Sequence, residues 1–212
     1  TPVTGDAVAR QQAAAEITSR ARSDVPLEPD STFAAQVATP EIVEVGTDPN
    51  PEAIFATLEA EGTLTPVITS VADFYHVSKN ISDPVVDGAS WALTVGGMVG
   101  NPLRLTYDDV MQRSTTRNIT TLSCISNELN GDLAGTAEWS GFPLRELLED
   151  AGINPATVDL VFRAADGYDD SIPFATAMDP PTLVVTGMNG EPLPPDHGFP
   201  ARLIVPPIYG MK

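Results

Sequence analysis

A chain of 212 residues and 22.4 kDa suits one domain with an appendage better than two full domains. With 42% hydrophobic residues and a mean hydropathy of −0.01 it has material for a real core, which excludes disorder throughout. Lys and Arg total 11 against 29 Asp and Glu, and the resulting charge of −18 repels phosphate backbones and anionic lipid, excluding nucleic-acid binding as the main task. In chain order, residues 5–22 (GDAVARQQAAAEITSRAR) are Ala-rich and free of Gly and Pro after Gly5, which predicts a helix with a thin apolar face. Pro26, Pro29, Pro40, Pro49 and Pro51 then punctuate an acidic stretch that reads as an extended linker. PEAIFATLEAEG (51–62) reads as a short helix with Pro51 in its first turn and Gly62 at its end. Residues 1–65 are thus expected to be a tether or peripheral wrap, and 66–212 the packed domain.

Beyond Pro66 the pattern changes. Trp91, Leu93 and Val95 alternate in WALTVGG, which predicts a half-buried strand. Thr106 stands three residues before Asp109, as a capping box requires at a helix start. ITTLSC (119–124) is β-branched and strand-like. GFPLRELLEDAG predicts a helix with Pro143 in its first turn, Leu144, Leu147 and Leu148 on one face and Gly152 past its end. VDLVFRA (158–164), TLVVTG (182–187) and ARLIVP (201–206) read as strands, with Asn189-Gly190 as a turn. Strands with interspersed short helices, and no regular βαβ alternation, indicate an α+β fold. No apolar run approaches the ~18–20 residues that span a bilayer. No basic region followed by an apolar stretch opens the chain, so an export signal is expected to have been removed or never present.

There is no P-loop, HExxH, GxSxG or paired CxxC. Unusual polar residues stand instead at strand ends: Cys124 after ITTLSC, Asp166 after VDLVFRA, and His197 and Arg202 around GFPA. FYHVSKN (74–80) adds His76, one of two histidines, and Lys79. Each has a plain structural reading. The lone Cys124 excludes an intrachain disulfide and can be a small buried hydrophobe. Asp166-Gly167 is a turn dipeptide, and Asp196-His197-Gly198 a proline-shaped loop. Arg202, entering an apolar strand, is the least loop-like of them. A buried guanidinium needs an anionic partner, and a phosphate would serve.

FYHVSKN, WALTVGGMVGNPLRLTYDDV, TLSCISN, WSGFPLRELLEDAGI, AADGYDDSIPFATAMDP and above all MNGEPLPPDHGFPARLIVP together resemble the molybdopterin-binding domain of the sulfite-oxidase family of oxidoreductases. The resemblance covers about two thirds of the chain, from Phe74 onward. It implies a sulfite-oxidase-type α+β fold with mixed sheets, and molybdenum with molybdopterin as cofactor. It implies that Cys124 is the thiolate ligand to molybdenum, alongside the dithiolene of one pterin, as suits a soft donor. His197 and Arg202 match residues that hold the pterin and its terminal phosphate. Tyr75, His76, Ser78 and Lys79 fall where the family wraps the cofactor, and Asp166 where many members place an acid near the metal or pterin.

The resemblance further implies two-electron oxygen-atom transfer on a small oxo substrate, with electrons exchanged one at a time with a haem protein or membrane subunit. Two departures stand out. Animal and plant sulfite oxidases carry arginines after the cysteine, where this chain reads ISNELNGDLAG with Glu128 and Asp132, which argues against sulfite. Relatives also continue past YGMK with a further Lys-bearing loop and a closing strand, so the chain is expected to be C-terminally incomplete. The wording is closest to bacterial members that are extracytoplasmic, periplasmic or tethered at the cell surface. A non-catalytic acidic binding module that kept the fold without the cofactor is the rival reading, and a metal-free redox thiol at Cys124 a third.

Overall fold

The computed structural model describes residues 14–21, 56–58, 60–62, 66–206 and 208–210. The strands are β1 (Ala14–Ala21), β2 (Ala92–Gly97), β3 (Leu103–Thr106), β4 (Thr116–Ser123), β5 (Ala134–Pro143), β6 (Thr157–Arg163), β7 (Asp169–Pro173), β8 (Leu183–Met188), β9 (Glu191–Pro192) and β10 (Arg202–Ile204). Within residues 66–206, the short helices α1 (Tyr107–Arg113), α2 (Leu144–Asp150) and α3 (Phe174–Ala177) each continue directly from a strand. One sheet runs β3-β2-β1-β6-β7 and the other β10-β8-β5-β4, with β9 paired to β8. All neighbours are antiparallel except β1 and β2. This is the expected α+β architecture with mixed sheets.

Of the helix expected over residues 5–22, the described part, 14–21, is instead a strand in the middle of the first sheet. Thr18 faces Gly96 of β2 on one side and Val161 of β6 on the other. Helix propensity differs by only tenths of a kcal/mol per residue and is a weak prior. Strands β2 and β6 would each present an unpaired row of N–H and C=O groups without β1, and satisfying two ladders outweighs that preference. Residues 14–21 accordingly group with 68–212 in one compact unit, in place of a boundary near residue 65. The described residues between 56 and 67 belong to a second unit, where 56–58 and 60 are helical and Glu61 N donates to Thr57 O at 2.9 Å. The proline-rich stretch expected to be a linker lies outside the described residues up to Pro51.

The later elements follow their local chemistry. At α1, Thr106 Oγ1 accepts from Asp109 N while the Asp109 carboxylate accepts from Thr106 N at 2.8 Å, completing the capping box. Hydrogen bonds from Thr106 hold the Asp109 carboxyl below its ordinary value. A depressed carboxyl adds stability that is present above the unfolded value near 4 and is lost as pH falls through the folded one. Thr106→Ala is therefore expected to lower the melting temperature at pH 7, with the effect shrinking progressively as pH falls below about 4, as thermal unfolding across an acid pH series will show. In α2, Leu144, Leu147 and Leu148 are fully buried as expected, but Gly141–Pro143 finish β5 rather than open the helix. Asn189 and Gly190, both with positive φ, turn β8 into β9.

Successive side chains on a strand point to opposite faces, and β8 is buried along its whole length. Val184 joins the main core with Trp91, Leu93, Leu105, Phe142, Leu160 and the α2 leucines. Leu183 and Val185 join a second core with Phe74, Leu122, Trp139, Met188 and Ile204. The second sheet is thus a wall between two apolar layers, and the candidate site lies on the layer away from the helices.

Candidate functional site

Four of the residues singled out in the sequence meet where β4 ends and β10 begins. Cys124 is the first residue beyond β4. Its backbone N donates to Leu133 O at 2.9 Å and its carbonyl accepts from Asn127 N at 3.0 Å, so the loop that follows is closed at its root and leaves the side chain half-buried. Arg202 opens β10 opposite Val185, on the same face as Trp139, and its guanidinium carbon lies 5.4 Å from the Trp139 ring centroid. That contact is within cation–π range. The fork donates to His197 O at 3.2 Å and Gly210 O at 2.9 Å. Among the described residues no ion pair engages it. Burial pulls Arg202 below its ordinary value, partly offset by Tyr75, yet a guanidinium stays charged at neutral pH. A partly buried cation held by two backbone carbonyls and an aromatic face still calls for an anion.

His197 ends a 3₁₀ turn (Pro195–His197) and is buried, its Nε2 3.3 Å from Val71 O. Gly198 follows at φ 102°, a conformation that suits glycine, and a side chain there would press on Arg202. Burial lowers the His197 pKa, with Arg202 and His76 adding to the effect, so the ring is neutral at pH 7. Tyr75 stacks on Phe74 at 5.3 Å, and Phe74 meets both Trp139 and His197 edge-on. Burial raises the Tyr75 phenol, and the neighbouring Arg202 offsets part of that rise. Thiol, phenol, imidazole and guanidinium therefore share one neighbourhood.

The remaining candidates lie further along the same loop. His76 is 6.4 Å, ring to ring, from His197 and pairs with Asp83 at 3.2 Å. Ser78 Oγ accepts from Asn80 N at 3.2 Å. Lys79 and Asn80 reach the turn between β6 and β7: Lys79 Nζ is 3.7 Å from Asp166 Oδ2, and Asn80 Nδ2 donates to that oxygen at 3.0 Å. Asp166 also accepts from Tyr168 N at 2.9 Å. Asp166 thus anchors this loop through Lys79 and Asn80. Asn80, Trp139 and Gly210 went unremarked as individuals in the sequence. Asn80 and Trp139 stand inside motifs that were read as blocks, while nothing local marks Gly210.

A family model described as the oxidoreductase molybdopterin binding domain matches residues 80–212, and the chain belongs to that family. Among curated relatives, the nitrate reductase [NAD(P)H] of Betula pendula is 31% identical over 189 residues, spanning 76% of this chain and 20% of that protein. The mitochondrial sulfite oxidase of Mus musculus is 31% identical over 190 residues, spanning 78% of this chain and 33% of the relative. The sulfane dehydrogenase SoxCD from Paracoccus pantotrophus shares the fold, with a TM-score of 0.55, 23% identity and coverage of 82% of this chain and 53% of that one. The chain spans about a fifth to a third of these curated relatives.

The family's cofactor is molybdenum held by molybdopterin, and the donor set fits it. Among the described residues no three His, Cys, Asp or Glu side chains gather to hold a metal ion. A metal here would bring most of its ligands with it, as a dithiolene does, and need one soft donor such as Cys124.

Proposed function

We propose that this chain is the cofactor-holding part of a molybdenum–pterin oxidoreductase that performs two-electron oxygen-atom transfer on a small sulfur-containing or other oxo substrate. The observation that carries the proposal is the convergence of Cys124, Tyr75, His197 and an Arg202 without an acidic partner. When bound, the cofactor supplies the oxygen-atom transfer and the two-electron redox change. The chain's own part is to grip and orient it. Cys124 would ligate the metal through its thiolate, and Arg202 would clamp the phosphate with a planar fork. Neutral His197 would donate or accept a single hydrogen bond without adding charge. Tyr75, His76, Ser78 and Lys79 would line the wrapping loop, with Asp166 holding that loop in place. Electrons would pass to or from a haem protein or membrane subunit, and we place the whole protein outside the cytoplasm.

Molybdenum analysis after expression with intact cofactor synthesis tests this directly. About one metal per chain supports it, and none supports a binding module that kept only the fold. Arg202→Ala should reduce cofactor retention about tenfold or more, since a charge-assisted contact is worth roughly 1.5–3 kcal/mol. Arg202→Lys should recover only part of it, because a point charge cannot reproduce the fork. Unchanged molybdenum content in Arg202→Ala would place the phosphate elsewhere.

The site's charge bears on the substrate. The sequence offers Lys79, Arg104, Arg113 and Arg117 as cations that could lean toward the site, and of these Lys79 is engaged by Asp166, Arg113 by Asp150 at 2.7 Å and Arg117 by Glu138 at 3.2 Å. Glu128 and Asp132 are exposed on the loop after Cys124. A compact dianion would meet little attraction and some repulsion. A neutral sulfoxide is therefore expected to turn over better than sulfite, with sulfite showing a high KM that falls as salt is added. Steady-state assays of both at low and moderate salt decide this, and efficient sulfite oxidation that weakens with salt would reverse the assignment.

A further inference from the structure

Gly210 touches three parts of the site at once. Its N–H donates to Ser123 O at 3.0 Å, the residue before Cys124, and its carbonyl accepts from Arg202 at 2.9 Å. The space a Cβ would occupy is already taken by the Tyr75 hydroxyl, with the Leu122 Cβ next at 3.3 Å. The segment after β10 therefore lies across the end of β4 as a strap, and its fit depends on a residue without a side chain. We propose that Gly210 is a positioning residue, which ties the Cys124 strand end to the Arg202 guanidinium and leaves the space that the Tyr75 hydroxyl fills. Gly210 carries no reactive group and acts through the three residues it joins. This deepens the cofactor reading above and rests on it for one of its two readouts.

The phenol is the side most able to yield to an added methyl group, because a hydroxyl at the end of a side chain can swing away while the Leu122 Cβ cannot. Gly210→Ala should therefore expel the Tyr75 hydroxyl, loosening the hold on the thiol and guanidinium. Tyr75→Phe removes the obstructing oxygen, so Gly210→Ala should be tolerated in that background. This non-additivity is the signature of a contact rather than of general damage. The test compares the parent, both single variants and the double variant. One readout is molybdenum per chain. The other, made on cofactor-free protein, is the titration of the Tyr75 phenol by NMR of ring-labelled tyrosine, assigned by its absence in Tyr75→Phe.

The expected result is a loss of about tenfold in molybdenum retention in Gly210→Ala, on the scale of one hydrogen bond to a charged group. The Tyr75 titration should drop toward that of a solvated phenol, and the double variant should hold as much metal as Tyr75→Phe. An unmoved phenol titration in Gly210→Ala overturns the proposal. So does the same added loss in both backgrounds, or failure to fold in both, since Leu122 would then set the limit. A parent that binds no molybdenum sinks the cofactor reading, while the phenol titration still decides the role of Gly210.

Discussion

Cys124→Ser is expected to abolish oxygen-atom transfer while the domain stays folded. The hydrogen bonds that close the loop at this position are made by the Cys124 backbone, with Leu133 O and Asn127 N, and serine keeps both. The side chain is half-buried and of nearly the same size as the replacement, so the cost in stability should be modest, about 1 kcal/mol. The chemical difference is large. A serine hydroxyl is a harder donor and is not ionised at neutral pH, whereas a thiolate binds a soft-donor metal site strongly. Activity per molybdenum atom and thermal unfolding, measured on the same preparations, separate the two effects. Equal activity in variant and parent would remove Cys124 from the metal. Lost stability with retained activity would make it an ordinary core thiol.

Deleting residues 1–22 should abolish the native fold, the opposite of what a detachable tether would do. The deletion removes β1, which is hydrogen-bonded along both of its edges. What remains of the first sheet is two separate pairs, β2 with β3 and β6 with β7. A two-stranded pair is marginal alone, and four unpaired edges would invite aggregation. Soluble yield, a cooperative thermal transition and near-ultraviolet circular dichroism are the measurements. A soluble product that unfolds cooperatively would show that β2 and β6 can do without their shared neighbour.

The strand at 14–21 shows where sequence reasoning reached its limit. In β2 the alternation of Trp91, Leu93 and Val95 reports a buried face, and at α1 the Thr106–Asp109 pair reports a cap. Both signals lie within a few residues of the structure they specify. The alanines around Ile17 report only that a helix is permitted. What decides the matter is the pair of open ladders on β2 and β6, far along the chain. The site divides in the same way. Cys124, His197 and Arg202 were legible because distinctive wording surrounds them, and Asp166 because it follows a strand. That Asp166 meets Lys79 and Asn80, or that Gly210 leaves room for the Tyr75 hydroxyl, follows from packing between distant segments and leaves no local mark.

The burial of β8 on both sides has a thermodynamic consequence. Val184 and Val185 are adjacent residues serving different layers, so a cavity made on the helix side strains the backbone that lines the site. By mass action, a ligand that binds only the folded chain adds RT ln(1 + [L]/Kd) to its stability, about 4 kcal/mol at a thousandfold excess over Kd. That is comparable to the 2–5 kcal/mol typical of a large core truncation. Substitutions at Val184 should consequently be masked when cofactor is plentiful and exposed when its synthesis is starved. Cofactor supply would then act as a buffer for mutations that never touch the cofactor, and the apparent tolerance of this strand would be a property of the growth medium as much as of the sequence.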